Sequence, residues 1–478
     1  MTPPYLVAGR TEWNHRLRSA AVFVVAVAFT GITTVGLLAT VEQPSYELAL
    51  AIPLLTVLVL GVFLMPVHMI PAVVGAVLCV VPTRFVPNDG PFNALPPLAL
   101  VMGIWVLRRI VLAHGAGRAS RLPPLSRIGP RLAVYTFAVL LVAWLGVSIL
   151  RSGVNETTVG WTLAFVVSAL VPLLVFDARQ EVALLRTVLL IGGALAGANI
   201  MVELVLGMSP VYGWLGGSRE FGFAVYRAQG PFSHPLFAAA FLTVPAMLGI
   251  GTWLTTGRRW MLLCGGLAAG GVLATVSRGS IVALGVAVGV AVIAAPFFLG
   301  WRNVGRWFVF VGLAGLGAVV ALNFGPLVER ASSIESQLSA GVRERAITVA
   351  ISAAEYSDWF GTGPGTSGQT GRLFDTIVIE NSLLQLLISI GLPGLVLFVL
   401  FLSSLIWSAW ARGDLAVGLA IIAYTVSISS FNSLDAVRGM HIVIGLLVLL
   451  AVHDSTPRPR ADEFEPLSAG RVMQPTSG

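Results

Sequence analysis

Apolar stretches and short polar connections alternate along the chain from about residue 19 to about residue 453. A helix that crosses a bilayer needs about 20 apolar residues, at a rise of about 1.5 Å per residue. The stretches that meet this requirement, the third of them short and flanked by proline, are 19–40, 47–65, 68–82, 95–113, 131–150, 159–176, 184–206, 234–254, 259–276, 279–299, 307–323, 378–407, 414–430 and 438–453. The pattern predicts an all-α polytopic membrane protein with 12 to 14 transmembrane helices, in one domain over 19–453.

The basic residues test this division, because they collect in the short connections on the cytoplasmic side. All 29 of them are arginine. Most of them fall in alternate connections and in the tail; those in the connections and at the N-terminus are Arg10, Arg16, Arg18, Arg108, Arg109, Arg118, Arg121, Arg127, Arg131, Arg179, Arg186, Arg258, Arg259, Arg302, Arg306 and Arg412. Residues 1–18 and the Pro-rich tail 454–478, which we expect to be disordered, are therefore predicted to be cytoplasmic. The first stretch, 19–40, is long enough to span and is interpreted as a retained helix, not a signal peptide.

The same alternation places three connections on the outer side: 207–233, the tight turn 277–279 and the long loop 324–377. Arginines on that side oppose the orientation trend and need another explanation. Those of interest are Arg227, Arg278, Arg343 and Arg345.

The composition of the chain argues against several classes of protein. With 56% hydrophobic and 11% charged residues, and a mean hydropathy of +0.89, the chain has too few charges for a soluble enzyme of this length. Its net charge of +7 lies in the connections, so nucleic acid is not an expected partner. Cys79 and Cys264 lie in apolar stretches and form no CxxC pair, and no nucleotide-binding or HExxH motif occurs. We therefore expect neither a cofactor nor a metal.

Four short motifs lie on the predicted outer side. They are YRAQGPFSHP at 226–235; Ser277-Arg278-Gly279; 343–365, with DWFGTGPG at 358–365; and ENSLLQ at 380–385, with GLPG at 391–394. Over roughly 205–410, these motifs make the chain resemble the O-antigen ligase and polymerase superfamily. The resemblance implies a multi-pass glycosyltransferase of the bacterial inner membrane. Its members act at the outer face on undecaprenyl-diphosphate-linked glycans, which they polymerise or ligate to an acceptor.

Such chemistry releases a lipid diphosphate, and a guanidinium can hold two of its oxygens while negative charge develops. Arg227 and Arg278 are the candidate residues for this role. The alternative is that both arginines bind lipid headgroups or pair with a nearby carboxylate. Arg343 and Arg345 are weaker candidates for glycan or phosphate contacts, since a loop helix at about 339–356 can carry arginine for solubility or to pair with acidic neighbours.

The acceptor hydroxyl needs a base on the face of the anomeric carbon opposite the leaving group. Ligases of the superfamily carry a histidine at the position that Glu380 matches, so the chain departs from them in a way that favours a polymerase-like or other transferase. Glu380 is the candidate base, although a carboxylate at the start of a helix also favourably meets the helix dipole.

Other candidate substrate contacts have structural alternatives. Asn381 can cap the helix that follows or bind substrate, and His234, followed by a proline, is more typical of a structural residue at the membrane interface. Gly363 and Gly365 belong to a cluster at 361–365 that ends the loop helix and exposes backbone N–H groups to a ligand.

These observations predict a metal-independent, inverting glycosyltransferase whose partners are a polyprenyl-diphosphate-linked oligosaccharide, a glycan or lipid acceptor and the bilayer. One rival is a transporter or flippase of lipid-linked sugars, but the distinctive charges lie at the outer face instead of the midplane. Another is an inactive relative that scaffolds an envelope-assembly complex.

Overall fold

The structure is a computed structural model, and it describes residues 61, 64–81, 95–115, 128–214, 225–232, 234–300, 303–435 and 437–453. The predicted helices 19–40 and, for the most part, 47–65 lie outside the described residues. The same holds for the predicted cytoplasmic segments 1–18 and 454–478.

The described residues form helices and no strand. The helices are α1 Ile70–Val80, α2 Pro97–Gly115, α3 Ile128–Ser152, α4 Glu156–Phe165, α5 Arg179–Leu206, α6 Pro210–Trp214, α7 Pro235–Thr256, α8 Arg259–Ala274, α9 Arg278–Phe298, α10 Val304–Leu322, α11 Gly325–Ser332, α12 Ile334–Tyr356, α13 Ser367–Phe374, α14 Ser382–Ala411, α15 Leu415–Ile428 and α16 His441–Val452. A π turn and a 3-10 turn extend α4 to Leu174.

Each apolar stretch predicted after residue 67 corresponds to one of these helices or helical segments. In the described part of the chain, 7 helices are long and apolar enough to cross a membrane, and 4 shorter apolar helices accompany them. The all-α polytopic fold is therefore confirmed, and the total of 12 to 14 transmembrane helices stays a prediction.

Helix α7 lies at the centre of the bundle and is buried along nearly all of its length. Its neighbours approach closely because small residues line the contacts. A Cβ atom on Gly249 would lie 2.6 Å from the carbonyl oxygen of Met261 in α8, and one on Gly251 would lie 2.5 Å from the Cα of Ala416 in α15. Such packing of backbone on backbone is how membrane helices associate where lipid offers no hydrophobic gain.

One end of the bundle is rich in arginines that bind other helices. Arg186 at the start of α5 pairs with Asp414, the N-cap of α15, at 2.8 Å. Arg306 donates to the carbonyl oxygen of Leu254, near the end of α7, at 2.9 Å, and Arg412 donates to that of Leu450, near the end of α16, at 3.1 Å. These contacts join connections that the arginine pattern assigned to one side of the membrane, and they satisfy helix C-terminal carbonyls.

The opposite end carries the segment 324–377, which folds into α11, α12 and α13. The predicted loop helix is present and longer than predicted, since α12 begins at Ile334 and ends at Tyr356. Its buried residues Ala346, Val349 and Ala350 pack with Ile379 and Ile388 at the start of α14. The long loop is therefore fixed to the membrane helices by its own small core.

Helix α14 is broken at Gly391, whose φ of 71° and ψ of 179° are not helical. The break lies about 14 Å below the start of the helix, at a rise of about 1.5 Å per residue. The backbone N–H groups of Thr362 and Gly363 donate to the carbonyl oxygens of Ile388 and Ser389, at 2.9 and 2.8 Å. The segment 359–366 therefore enters the bundle and replaces the hydrogen bonds that the break removes. The stretch predicted at 378–407 corresponds to α14 and contains this break.

Candidate functional site

Three arginines converge on one short turn, Thr275 to Arg278, between α8 and α9. The guanidinium of Arg227 donates through Nε to the carbonyl oxygen of Thr275 at 3.4 Å. That of Arg330, in α11, donates through Nη1 to the next carbonyl, of Val276. Arg278 closes the arrangement by donating through Nη2 to the carbonyl oxygen of Arg330 at 2.6 Å. Positive charge is thus concentrated around the 275–278 turn.

The turn has an unusual backbone. Val276 is buried and has a φ of 53°, in the left-handed region that a β-branched residue rarely adopts. This conformation costs about 1 to 3 kcal/mol and persists only where the surroundings enforce it. With this backbone conformation, the carbonyl groups of Thr275 and Val276 accept hydrogen bonds from Arg227 and Arg330.

Arg227 is held by the loop that precedes α7, and the buried carboxylate of Glu203 organises that loop. Glu203 accepts the backbone N–H groups of Gln229 and Gly230, at 2.9 and 2.8 Å, and the hydroxyl of Tyr226 at 3.1 Å. Gly230 has a φ of 60°, and a Cβ atom there would lie 2.5 Å from the Ile200 side chain. Arg227 itself is only 7% exposed, so its guanidinium sits on a rigid support.

A chain of contacts connects the 275–278 turn with the start of α14. Gly279 lies against Ser430, because a Cβ atom at Gly279 would meet the Ser430 hydroxyl oxygen at 2.0 Å. The carbonyl oxygen of the next residue, Phe431, accepts the backbone N–H and the hydroxyl of Ser382, at 3.1 and 2.7 Å. Glu380 lies two residues before Ser382, at the same end of the bundle as the arginines.

Glu380 and Asn381 differ in what they contact. Asn381 is the N-cap of α14 and accepts the backbone N–H groups of Leu383 and Leu384, at 2.9 and 3.1 Å. The carboxylate of Glu380 is half-buried and makes no hydrogen bond or ion pair with the residues that the structure describes. Asn381 thus has the structural role that its sequence position permits, while Glu380 presents an acceptor group at the site.

His234 is the N-cap of α7, where its Nδ1 atom accepts the backbone N–H of Leu236 at 3.2 Å. Burial, and next the charge of Arg227, lower the pKa of His234 to about 4. The ring also lies 5.6 Å from that of Phe237, centroid to centroid, and Phe237 lies 5.0 Å from Phe431. His234 is therefore a neutral residue beside Arg227.

The remaining sequence candidates lie in the segment 324–377. Arg345 pairs with Asp375 at 3.6 Å and is 60% exposed, whereas Arg343 is exposed and makes no ion pair with described residues. Gly363 and Gly365, with φ of 117° and 77°, pack against the end of α3 and against α4, where Cβ atoms would meet Ser152 and Trp161 respectively. These contacts explain the two glycines through packing, and substrate binding by any of the four residues stays a prediction.

A buried carboxyl group, that of Asp435, fastens the long loop to the turn after α15. It accepts the backbone N–H of Ser367 at 3.3 Å and also the Ser367 hydroxyl. Burial raises the pKa of Asp435 to about 6, against the opposing effect of these hydrogen bonds. This contact holds the start of α13 against the membrane helices.

Three residues of this arrangement were missing from the sequence-based site or had another role there. Arg330 was not selected, although it breaks the same orientation trend as Arg278. Glu203 was not among the candidate site residues, and it binds the backbone around Arg227. Asp435 contacts Ser367, 68 positions away in the chain, which no local pattern indicates. The described part of the chain contains no group of three or more His, Cys, Asp or Glu residues arranged to hold a metal ion.

The comparisons with known proteins address part of this region. Residues 263–399 match the model of a family described as O-Antigen ligase. The match runs from α8 to the first half of α14, so it includes Arg278, Arg330 and Glu380, and it leaves out Arg227. No curated protein matches the chain.

Proposed function

We propose that the chain transfers a glycan from a polyprenyl-diphosphate-linked donor to an acceptor hydroxyl, because residues 263–399 match the model of the O-antigen ligase family. The reaction takes place at the outer face of the bacterial cytoplasmic membrane, which is the loop end of the bundle. The acceptor is a second lipid-linked glycan in a polymerase and a different molecule in a ligase.

The observation that carries this proposal is the convergence of Arg227 and Arg278 on the 275–278 turn. A donor of this class ends in two linked phosphate groups, which gain negative charge as the sugar leaves. Guanidinium groups bind phosphate oxygens in a bidentate manner and do not lose their charge, so they stabilise that change. Arg227 reaches the site on a loop that Glu203 keeps rigid, which gives the preorganised geometry that such stabilisation needs.

In the transfer step, the oxygen of the acceptor hydroxyl attacks the anomeric carbon and forms the new glycosidic bond. The bond from that carbon to the diphosphate oxygen breaks, and its electron pair leaves with the lipid diphosphate. The acceptor proton passes to the carboxylate of Glu380. This single displacement inverts the anomeric centre, and the arginines provide the positive charge, so we propose a metal-independent inverting enzyme.

The test is glycan transfer by the purified full chain in liposomes, with a labelled polyprenyl-diphosphate oligosaccharide and no added divalent metal. We expect transfer by wild type and a loss of at least a hundredfold, as an order of magnitude, in Arg227→Ala and in Arg278→Ala. Arg372→Ala is the matched control, since Arg372 is an exposed arginine on α13. It should leave transfer unchanged while the thermal unfolding of all variants shows that they fold.

Further arms of the same assay test the base and the stereochemistry. Glu380→Gln keeps the size of the side chain and removes its ability to take a proton, so transfer should fall while donor binding persists. Glu380→His should restore part of the rate above the ordinary pKa of histidine, about 6.5. A product with a retained anomeric centre contradicts the single displacement. Labelled lipid that crosses the bilayer without bond formation contradicts the enzyme and indicates a flippase.

A further inference from the structure

The connection after α15, residues 430–435, joins the arginine side of the site to the start of α14. On the arginine side, Ser430 lies against Gly279, the residue after the 275–278 turn, and leaves no room there for a methyl group. On the other side, the connection is hydrogen-bonded to Ser382, the first residue of α14. Ser382 is therefore a direct link between the start of α14 and this connection.

The Ser382 hydroxyl is fully buried and uses its full capacity for hydrogen bonds. It donates to the carbonyl oxygen of Phe431 at 2.7 Å and accepts the backbone N–H groups of Ser433 and Leu434, at 2.9 and 3.3 Å. The hydroxyl of Ser433 also lies 2.9 Å away. A hydroxyl has one proton and two lone pairs, so nothing is left for a reaction at this atom. The contacts of Ser382 hold the connection in place.

The position of Glu380 depends on its neighbours in the chain, because its carboxylate makes no hydrogen bond or ion pair with the described residues. The side chain of Asn381 accepts N–H groups of its own helix, which fixes the start of α14 but not where that start lies. Ile379 packs against α12, and Ser382 bonds to the 430–435 connection. Glu380 is thus held between an apolar contact with the long loop and a polar contact with the connection.

We propose that Ser382 is a positioning residue for Glu380. Its hydroxyl fixes the start of α14 on the 430–435 connection and thereby sets where the carboxylate lies relative to the bound substrates. The inference rests on the proposed function, in which Glu380 takes the proton of the acceptor.

The expected effect of losing the Ser382 hydroxyl is on the chemical step. A displacement of about 1 Å in a reacting group can cost about a hundredfold in rate. Donor binding should persist, because the contact of Ser430 with Gly279 does not involve the Ser382 hydroxyl and keeps the arginine side in place. Ser382 should therefore act on kcat and not on the donor KM.

The experiment measures kcat and donor KM for glycan transfer by the purified full chain in liposomes. In Ser382→Ala, the N–H groups of Ser433 and Leu434 lose their acceptor. We expect kcat to fall by about tenfold to a hundredfold, with a donor KM within about twofold of wild type. An unchanged kcat, or a loss that lies in the donor KM alone, would overturn the inference.

A second variant separates the hydrogen bonds from the volume of the side chain. Ser382→Cys keeps a side chain of similar size, but its thiol forms only weak hydrogen bonds, so it should lose kcat in the same way. It also replaces Ser382→Ala in the test if the alanine variant does not fold. Wild-type kcat in Ser382→Cys would show that the hydrogen bonds do not position Glu380.

Ser408→Ala is the matched control. Ser408 is buried on the same helix, and its hydroxyl donates to the carbonyl oxygen of Ala451 in α16 at 2.9 Å, at the opposite end of the bundle. This variant should lower the unfolding temperature in the same way as Ser382→Ala and keep wild-type kcat. An equal loss of kcat in both variants would mean that any loosening of α14 slows transfer, which contradicts a specific role of Ser382.

A double-mutant cycle tests whether Ser382 acts through the carboxylate. In the Glu380→Gln background the base is already absent, so Ser382→Ala should cause little further loss of kcat. A further loss as large as in wild type would show that Ser382 acts on another part of the site.

The failure of this inference and that of the proposed function have different signatures. If wild type transfers the glycan and Glu380→Gln does not, while Ser382→Ala matches wild type, only the positioning role is wrong. If Glu380→Gln is as fast as wild type, the positioning role falls together with the base, and glycan transfer stands. If wild type transfers no glycan, the proposed function itself fails.

Discussion

Glu203 holds Gly230 by accepting its backbone N–H at 2.8 Å, although the two residues are 27 positions apart in the chain. The same carboxylate accepts the N–H of Gln229 and the hydroxyl of Tyr226, so one buried side chain fixes the whole segment around Arg227. The position of a proposed substrate-binding arginine thus depends on a residue of α5 that itself is fully buried.

Removing that carboxylate should impair transfer without touching the arginine. In Glu203→Ala, the backbone N–H groups of Gln229 and Gly230 lose their acceptor, and each buried unsatisfied group costs about 1–3 kcal/mol. We expect a lower unfolding temperature and a loss of transfer of about tenfold to a hundredfold, since small displacements of a positioning group have effects of this size. Glu203→Gln keeps one acceptor oxygen and should lie between Ala and wild type.

The comparison is made by glycan-transfer kinetics and thermal unfolding in the same preparation. Glu355→Gln, at an exposed position of α12, controls for the loss of a carboxylate. Wild-type kinetics in Glu203→Ala would contradict the positioning role.

The contact of Gly279 with Ser430 gives a second prediction. In Gly279→Ala the new methyl group would meet the Ser430 hydroxyl oxygen at 2.0 Å, so α9 and α15 must separate. Overpacking of this kind costs about 1–3 kcal/mol, and it would also shift the 275–278 turn. We expect reduced stability and reduced transfer, both partly restored by adding Ser430→Gly. Gly285→Ala, on the same helix with open space around it, should have little effect on either quantity.

The pH dependence of stability tests the environment of His234. Since burial and Arg227 lower its pKa to about 4, the unfolded chain binds a proton at this residue between pH 4 and 6.5 and the folded chain does not. The contribution of His234 to the free energy of unfolding therefore rises with pH across that window. His234→Asn retains an N-cap acceptor and lacks the titration, so its stability should lose this part of the pH dependence. Unchanged pH dependence would show that His234 titrates normally.

The titration of Asp435 should change stability with pH in the opposite direction, over nearly the same pH range. Its pKa of about 6 lies above the ordinary value of about 3.9, so the folded chain binds the extra proton. Stability should fall as pH rises from 4 to 6, and the cost of ionising the buried group above pH 6 is on the order of 3 kcal/mol. Asp435→Asn should be more stable than wild type at pH 7 and equally stable at pH 4, as measured by unfolding over that range. Greater stability of the variant at both pH values would contradict the titration.

The helices could be predicted closely from the sequence, because each is set by local apolar length. The arginine pattern also assigned certain connections between helices to the same side of the membrane, and the structure shows such connections in contact. Examples are the pairing of Arg186 with Asp414 and the hydrogen bond from Arg412 to Leu450. Periodicity could not locate the break in α14, since the stretch remains apolar across Gly391. The glycine and proline of the GLPG motif at 391–394 were the available signal, and the apolar pattern outweighed it.

The candidate site was predicted in part. Arg227 and Arg278 were selected because arginine is unusual on that side, and the structure brings both to one turn. The same rule applied to Arg330 would have selected it, but the Glu329-Arg330 pair resembles an ordinary solvated helix face. The contacts of Glu203 with Gly230 and of Asp435 with Ser367 depend on tertiary packing between distant segments, which one sequence without relatives does not reveal.

The break at Gly391 has a consequence for biosynthesis. Until the segment 359–366 docks, the carbonyl groups of Ile388 and Ser389 lack the N–H groups of Thr362 and Gly363, and the carbonyl group of Ile390 also awaits the indole N–H of Trp144 in α3. Unsatisfied backbone groups at this depth are costly in lipid. The part of α14 before the break therefore reaches its final state only after the segment 359–366 has docked on it. Folding of this region therefore ends with the docking of a loop on a helix, and not with the insertion of the helix itself.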